Sequence, residues 1–302
     1  MEIDYSAAKQ FISYVDNEST ISEVWNHPAY EIARTHAALL GRDLSREDIT
    51  EAMTENQTVF STGENLEDNR EDIIQLINHI HANESNWTEQ VDQQLKRITP
   101  DENVSNLSLF LAIEYELGIG LQQGAYVNLN EPLFLQQPRQ LLYTAIHESS
   151  HVLYDRVHNF STELGLDTLN SRENQQTIFY TLVHSEGYAT YTPLKLRTSD
   201  GNVGKHNHLI CEDYRVLTEE PQLRQFVQEY DSFRETLQEA SVARETLMSR
   251  IFGGSRLPYR IGCLLLDGIE KKQRLEEVQN AFYMEPETFV REYDWILDEY
   301  RD

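Results

Sequence analysis

The chain has 302 residues, of which 51 are acidic and 25 basic, giving a net charge of −26 with 39% hydrophobic residues. That length is enough to bury a substantial core, as one large domain or two small ones. A field of this sign disfavours nucleic acid and anionic membranes, whose phosphates call for the opposite charge. Lysine is scarce, with only Lys9, Lys96, Lys195, Lys205, Lys271 and Lys272. An acidic, lysine-poor surface suits a salt-adapted cytoplasm, where salt screens self-repulsion; the alternative is an acidic protein that prefers basic peptides. MEIDYSAAKQ contains no charged-then-apolar signal region and no segment reaches the length of a membrane helix, so the sequence predicts a cytoplasmic protein. Cys211 and Cys263 lie far apart and make no metal or redox spacing.

Residues 1–103 read as a polar helical region with starts at Asp4, Ser19 and Ser45. The acidic turn TGENLEDNRED precedes a helix through Ile73, Ile74, Leu76, Ile77 and Ile80. His79 and His81 are two apart, which is not ligand spacing on a helix, and read as surface or packing residues. LSLFLAIEYELGIGLQQGAYVNLN follows, rich in apolar and β-type residues, and reads as hairpin strands.

Gln140 to His158 has no internal Gly or Pro, with Pro138 just ahead where a helix accepts proline. Leu142, Ile146, Ser149, Leu153 and Val157 form one stripe at helical spacing. His147-Glu148-Ser149-Ser150-His151 lies beside it: two imidazoles four apart on one helix face, with a carboxylate next to them. That pattern suits Zn2+ held by two nitrogens, with Glu148 within reach of the water it activates. Two structural histidines on a helix are the bland alternative.

A catalytic zinc takes a third protein ligand. His158 is one candidate, while His206 and His208, near Cys211, fall in the Gly- and Asn-rich DGNVGKHNH and read as solvated. The better candidate is Glu186, in the helical run TIFYTLVHSEGYATY on the same face as Ile178, Leu182 and Ala189. A carboxylate on an apolar stripe is costly unless it binds a metal or pairs with an arginine. His184 points away from it. NFSTELGLDTLNSREN joins these two helices, 200–207 reads as a loop, and the remainder is helical.

HESSH followed by HSEGYATY resembles the gluzincin metallopeptidases, whose third zinc ligand is a Glu on a second helix. Glu186-Gly187-Tyr188-Ala189-Thr190-Tyr191 is similar to the N-E-G-F-A segment of aminopeptidase-N-like enzymes and to the E-G-[apolar]-A segment of predicted zinc-dependent proteases of prokaryotes. His158 fails the metzincin pattern, since Val157 and Tyr154 hold the positions that would need His and Gly. Departures from the aminopeptidases are a longer His151–Glu186 insertion, His184-Ser185 ahead of the Glu, and Gly124-Ala125-Tyr126-Val127-Asn128 in place of G-A-M-E-N. Val127 cannot hold an ammonium group, so aminopeptidase specificity gains no support. On this resemblance Tyr126–Leu129 is either the edge strand over the metal, pairing with an extended peptide, or an ordinary half-buried strand.

Pro258-Tyr259-Arg260-Ile261-Gly262 resembles the Y-x-x-G segment of the same families, which implies that the Tyr259 hydroxyl stabilises the oxyanion. Tyr188, Tyr191 and His184 compete for that role in a chain with 16 tyrosines. The fold implied is α+β and mostly helical: a zincin-like core over 104–200 with a small mixed sheet, and a C-terminal helical region, 201–302, completing the cleft. The activity implied is zinc-dependent hydrolysis of peptide bonds, as an endopeptidase on peptide or protein substrates. The alternative is a catalytically inactive metal-binding protein of the same fold acting as a binding module.

Overall fold

A computed structural model describes residues 1–52, 64–100, 104–160, 169, 171–205 and 208–301. Two units divide these: Met1–Lys96 with Asp101–Glu163, and Arg97–Pro100 with Leu164–Asp302.

In the first unit an unforeseen strand, β1 (Glu2–Asp4), precedes the helix expected to start at Asp4. Three residues give too little alternation to read; pairing with a partner about a hundred residues away makes them a strand. Asp4 then accepts the backbone N–H of Ser6 at 2.7 Å, and α1 (Ser6–Val15) follows. Helix α2 (Ile21–Trp25) opens on Thr20 and Glu23 in a reciprocal capping box, one residue after the expected Ser19. Proline at the start of α3 (Pro28–Leu39) and the Ser45–Asp48 exchange at α4 (Arg46–Ala52) fix the next two starts. Helix α5 (Leu66–Ala82) buries Ile73, Leu76, Ile77 and Ile80, as the sequence predicts, and α6 (Glu84–Ile98) follows.

Strands β2 (Ser108–Ala112), β3 (Gly118–Leu121) and β4 (Gly124–Asn128) complete a four-stranded mixed sheet in the order β1-β2-β4-β3. Only β3 and β4 form a hairpin; β1–β2 and β2–β4 are parallel. The expectation of an edge strand at Tyr126–Leu129 is therefore corrected. Strand β4 pairs with Leu109–Ala112 on one side and with Gly118–Leu121 on the other. All five of its residues are buried, as in an interior strand. The edge next to it is β3.

A short α7 (Pro132–Gln136) leads into α8 (Pro138–His158), which starts with proline in its first turn. It ends at Asn159, whose left-handed backbone (φ 51) turns the chain and whose N–H bonds the Asp155 carbonyl at 2.8 Å. Leu142, Ile146, Ser149 and Leu153 are buried on the predicted stripe, and Val157 is half-buried.

The second unit is helical among the described residues. Helix α9 (Arg172–Ser199) is capped by Ser171, whose hydroxyl accepts the Asn174 N–H at 3.1 Å, and continues through Pro193. It is followed by α10 (Leu209–Val216), α11 (Glu220–Glu239), α12 (Arg244–Ile251) and α13 (Leu257–Lys272). Then come α14 (Leu275–Ala281), α15 (Pro286–Tyr293) and, after a 3-10 turn, α16 (Asp298–Arg301). The protein is thus mostly helical with a small mixed sheet, and among the described residues no helix is long and apolar enough to cross a membrane.

Candidate metal centre

Helix α8 carries His147 and His151 one turn apart, both half-buried, with ring centroids 4.9 Å apart. Between them Glu148 is 7% exposed. Strand β3 lies directly on this turn. A Cβ built at Gly118 would stand 2.4 Å from Glu148 Oε1, and one at Gly120 would stand 2.1 Å from the Glu148 carbonyl oxygen and 2.5 Å from His151 Cβ. Any side chain at either position would collide with the HESSH turn. The tight β3–β4 connection is tied to the same helix, since buried Asp155 accepts the Gln122 N–H at 2.9 Å. The two glycines escaped the sequence reading, although G-x-G inside a strand is itself a signal of close backbone approach.

In the second unit Glu186 sits on α9 and is 8% exposed. The next residue, Gly187, crosses Gly262 of α13 backbone to backbone: a Cβ at Gly262 would lie 2.0 Å from the Val183 carbonyl oxygen and 2.5 Å from Gly187 Cα. Tyr259, 8% exposed, lies one turn before that crossing, close to the start of α13. The Arg256 guanidinium is stacked 3.5 Å from the centre of its ring. Arg256 has a left-handed backbone (φ 42), and its Nε donates to Asp213 at 2.8 Å. Arg260 Nε donates to the other oxygen of Asp213, also at 2.8 Å. Burial pushes the Asp213 carboxyl above its ordinary range, although the charges and hydrogen bonds of Arg256 and Arg260 pull the other way. Burial opposes the charge of Arg256, but Tyr259, Asp213 and Glu186 outweigh it and raise its pKa. The arginine on which Glu186 acts thus makes its own ion pair with Asp213.

Tyr259's competitors have other work. His184 Nε2 is 3.0 Å from the Ala281 carbonyl oxygen, Tyr188 donates to the Val278 carbonyl, and Tyr191 donates to Glu270. All three hold α9 to neighbouring helices of its own unit. Of the remaining histidines, His158 stacks on Tyr154 with centroids 4.2 Å apart, and His208 caps α10 by accepting the Ile210 N–H at 3.3 Å. His208 is thus half-buried and caps a helix, while His206 lies outside the described residues. Cys211 and Cys263 are both buried thiols. His79 packs edge-on against Trp87, and His81 pairs with Glu84.

Among the described residues one group of three is suited to hold a metal ion: His147, His151 and Glu186 each offer a donor atom, all within 4.8 Å of one another. Two imidazole nitrogens and one carboxylate oxygen are a donor set for a borderline divalent ion such as Zn2+, short of the four protein ligands of a closed structural site. No protein-family model matches the chain, and no curated protein or solved structure is significantly similar to it.

Proposed function

We propose that the chain is a zinc-dependent peptidase with a gluzincin-like, zincin-type centre, acting on peptide or protein substrates as an endopeptidase. The observation that carries this reading is the convergence of the His147, His151 and Glu186 donors, with Glu148 on the same helical turn as the two imidazoles. A divalent ion held by these donors supplies Lewis acidity towards water and the scissile carbonyl. Glu148 takes the proton of the attacking water and delivers it to the leaving amine. A purely structural site has no use for that base. Tyr259 donates its phenolic hydrogen to the oxygen on which negative charge develops. Seated against Gly118, the Glu148 side chain is held in place before substrate arrives, which is how a general base gains from fixed geometry.

The test pairs metal content with turnover. Glu148→Gln is expected to keep one metal per chain and lose peptide cleavage, whereas His147→Ala is expected to lose the metal. Cleavage of a peptide library by Glu148→Gln at the wild-type rate would refute the mechanism. One metal per chain with no cleavage by the wild type would favour the binding-module reading.

A further inference from the structure

Two guanidiniums and one carboxylate make an unbalanced charge cluster in the second unit. Asp213, 2% exposed, contributes one negative charge against the positive charges of Arg256 and Arg260. Each arginine spends its Nε on Asp213, and among the described residues that is the hydrogen bond each side chain makes. The outer nitrogens of Arg256 donate to no described residue. The side chain as a whole is only 11% exposed, so this is a largely buried cation presenting an open fork. Its place is fixed from three sides: Asp213 at Nε, the Tyr259 ring face at 3.5 Å, and a left-handed backbone at the mouth of α13. Holding a guanidinium this rigidly in a low-dielectric site is costly unless the remaining donors meet an acceptor. A planar two-nitrogen fork matches a carboxylate bidentately.

Glu186 adds a second carboxylate to this charge balance. Its charge acts on Arg256 and offsets the surplus of the cluster. On the peptidase reading, which this inference presupposes, Glu186 spends its charge on a divalent ion, and the surplus at Arg256 is then left for a ligand. In a chain carrying −26 an anionic group would otherwise be repelled, so an anchored cation beside Tyr259 selects for one.

We propose that the Arg256 fork is a substrate subsite for a carboxylate, supplied either by an acidic side chain or by the free C-terminus of a peptide. Calorimetric titration of the metal-loaded Glu148→Gln protein, which binds without turnover, tests it with three probes: acetyl-Ala-Glu-Ala amide, acetyl-Ala-Gln-Ala amide and acetyl-Ala-Gln-Ala free acid. At least one carboxylate probe is expected to bind about tenfold or more tighter than the neutral peptide, the scale of a charge-assisted bidentate contact. A gain for the Glu amide assigns the group to a side chain, and a gain for the free acid assigns it to the chain end. Adding Arg256→Gln should erase the preference. Arg256→Lys, which keeps the charge and loses the fork, should retain a fraction of it and guards against a folding defect in the glutamine variant. Tyr259→Phe should leave the preference in place, since the phenol is not the anion's partner. Equal affinity for all three probes, no measurable binding of either carboxylate probe, or a preference that survives Arg256→Gln overturns the subsite. Metal analysis of the wild type separates the two readings: a chain that binds no metal sinks the peptidase proposal, whereas a metal-loaded chain without carboxylate preference sinks only the subsite.

Discussion

Gly118→Ala separates positioning from stability at Glu148, the proposed general base. The added Cβ would fall 2.4, 2.7 and 2.8 Å from Oε1, Cδ and Cγ of Glu148, against 3.4–4 Å for ordinary contact. The carboxylate must therefore retreat by roughly 1 Å, and a misplacement of that size costs about 100-fold in rate at a site that depends on orientation. Stability should fall less, because what has to move is the far end of a flexible side chain; a loss near the low end of the ~1–3 kcal/mol typical of overpacking is expected. Gly120→Ala is the contrast. Its Cβ would meet the Glu148 carbonyl oxygen at 2.1 Å and His151 Cβ at 2.5 Å, so strand and helix must separate. That variant should lose more stability and bind metal more weakly. Urea unfolding, metal competition against a chelator and peptide turnover, measured on both variants, make the comparison. Peptide cleavage by Gly118→Ala at the wild-type rate, or an equal loss of metal affinity in the two variants, would refute this role for Gly118.

Other outcomes follow from the charges. Asp213→Asn leaves two largely buried guanidiniums without a counter-charge, and urea unfolding should show a loss of about 3–5 kcal/mol. Burial pushes the Glu270 carboxyl up, but hydrogen bonds from Arg97 and Tyr191, with the charges of Arg97 and Lys195, outweigh it and hold the pKa below its ordinary value. A carboxyl depressed in the folded state stabilises above its unfolded pKa, so this contribution should fade as pH falls below about 4.3. Arg97→Gln should flatten that acid limb in melts taken from pH 6 to pH 3. With a net charge of −26, the unfolding midpoint should rise between 0.1 M and 2 M KCl, as the screening length shrinks from about 10 Å to under about 3 Å. An unchanged midpoint would argue against salt adaptation.

What the sequence disclosed was local. Helix α8 was legible because Pro138 marks its first turn, its interior lacks breakers, and its apolar residues recur at helical spacing. The starts near Asp4, Ser19 and Ser45 were legible because capping is a contact over two or three residues, and each start fell within two residues of the expected one. Strand order was not legible. Whether Tyr126 lies at an edge depends on a register with Phe110 and Ile119, which no alternation in GAYVN encodes. Strand β1 escaped for the same reason. Glu186 could be suspected from its apolar face, yet Arg256 could not, since its meaning comes from Asp213, 43 positions away. Charged residues read as solvated until a partner distant in sequence buries them.

The crossing of Gly187 and Gly262 bears on how such a site is recognised in other chains. Each glycine stands at a fixed offset from a residue of the proposed site: one residue after Glu186, three after Tyr259. Neither contributes a functional atom; together they act as a gauge setting the distance between two helices. A side chain as small as methyl on either would meet the facing backbone, so both positions call for glycine as long as the helices keep this distance. Glycine spacing of this kind should therefore persist in chains so diverged that little else of the motif survives, and it offers a search criterion made of lengths instead of reactive groups.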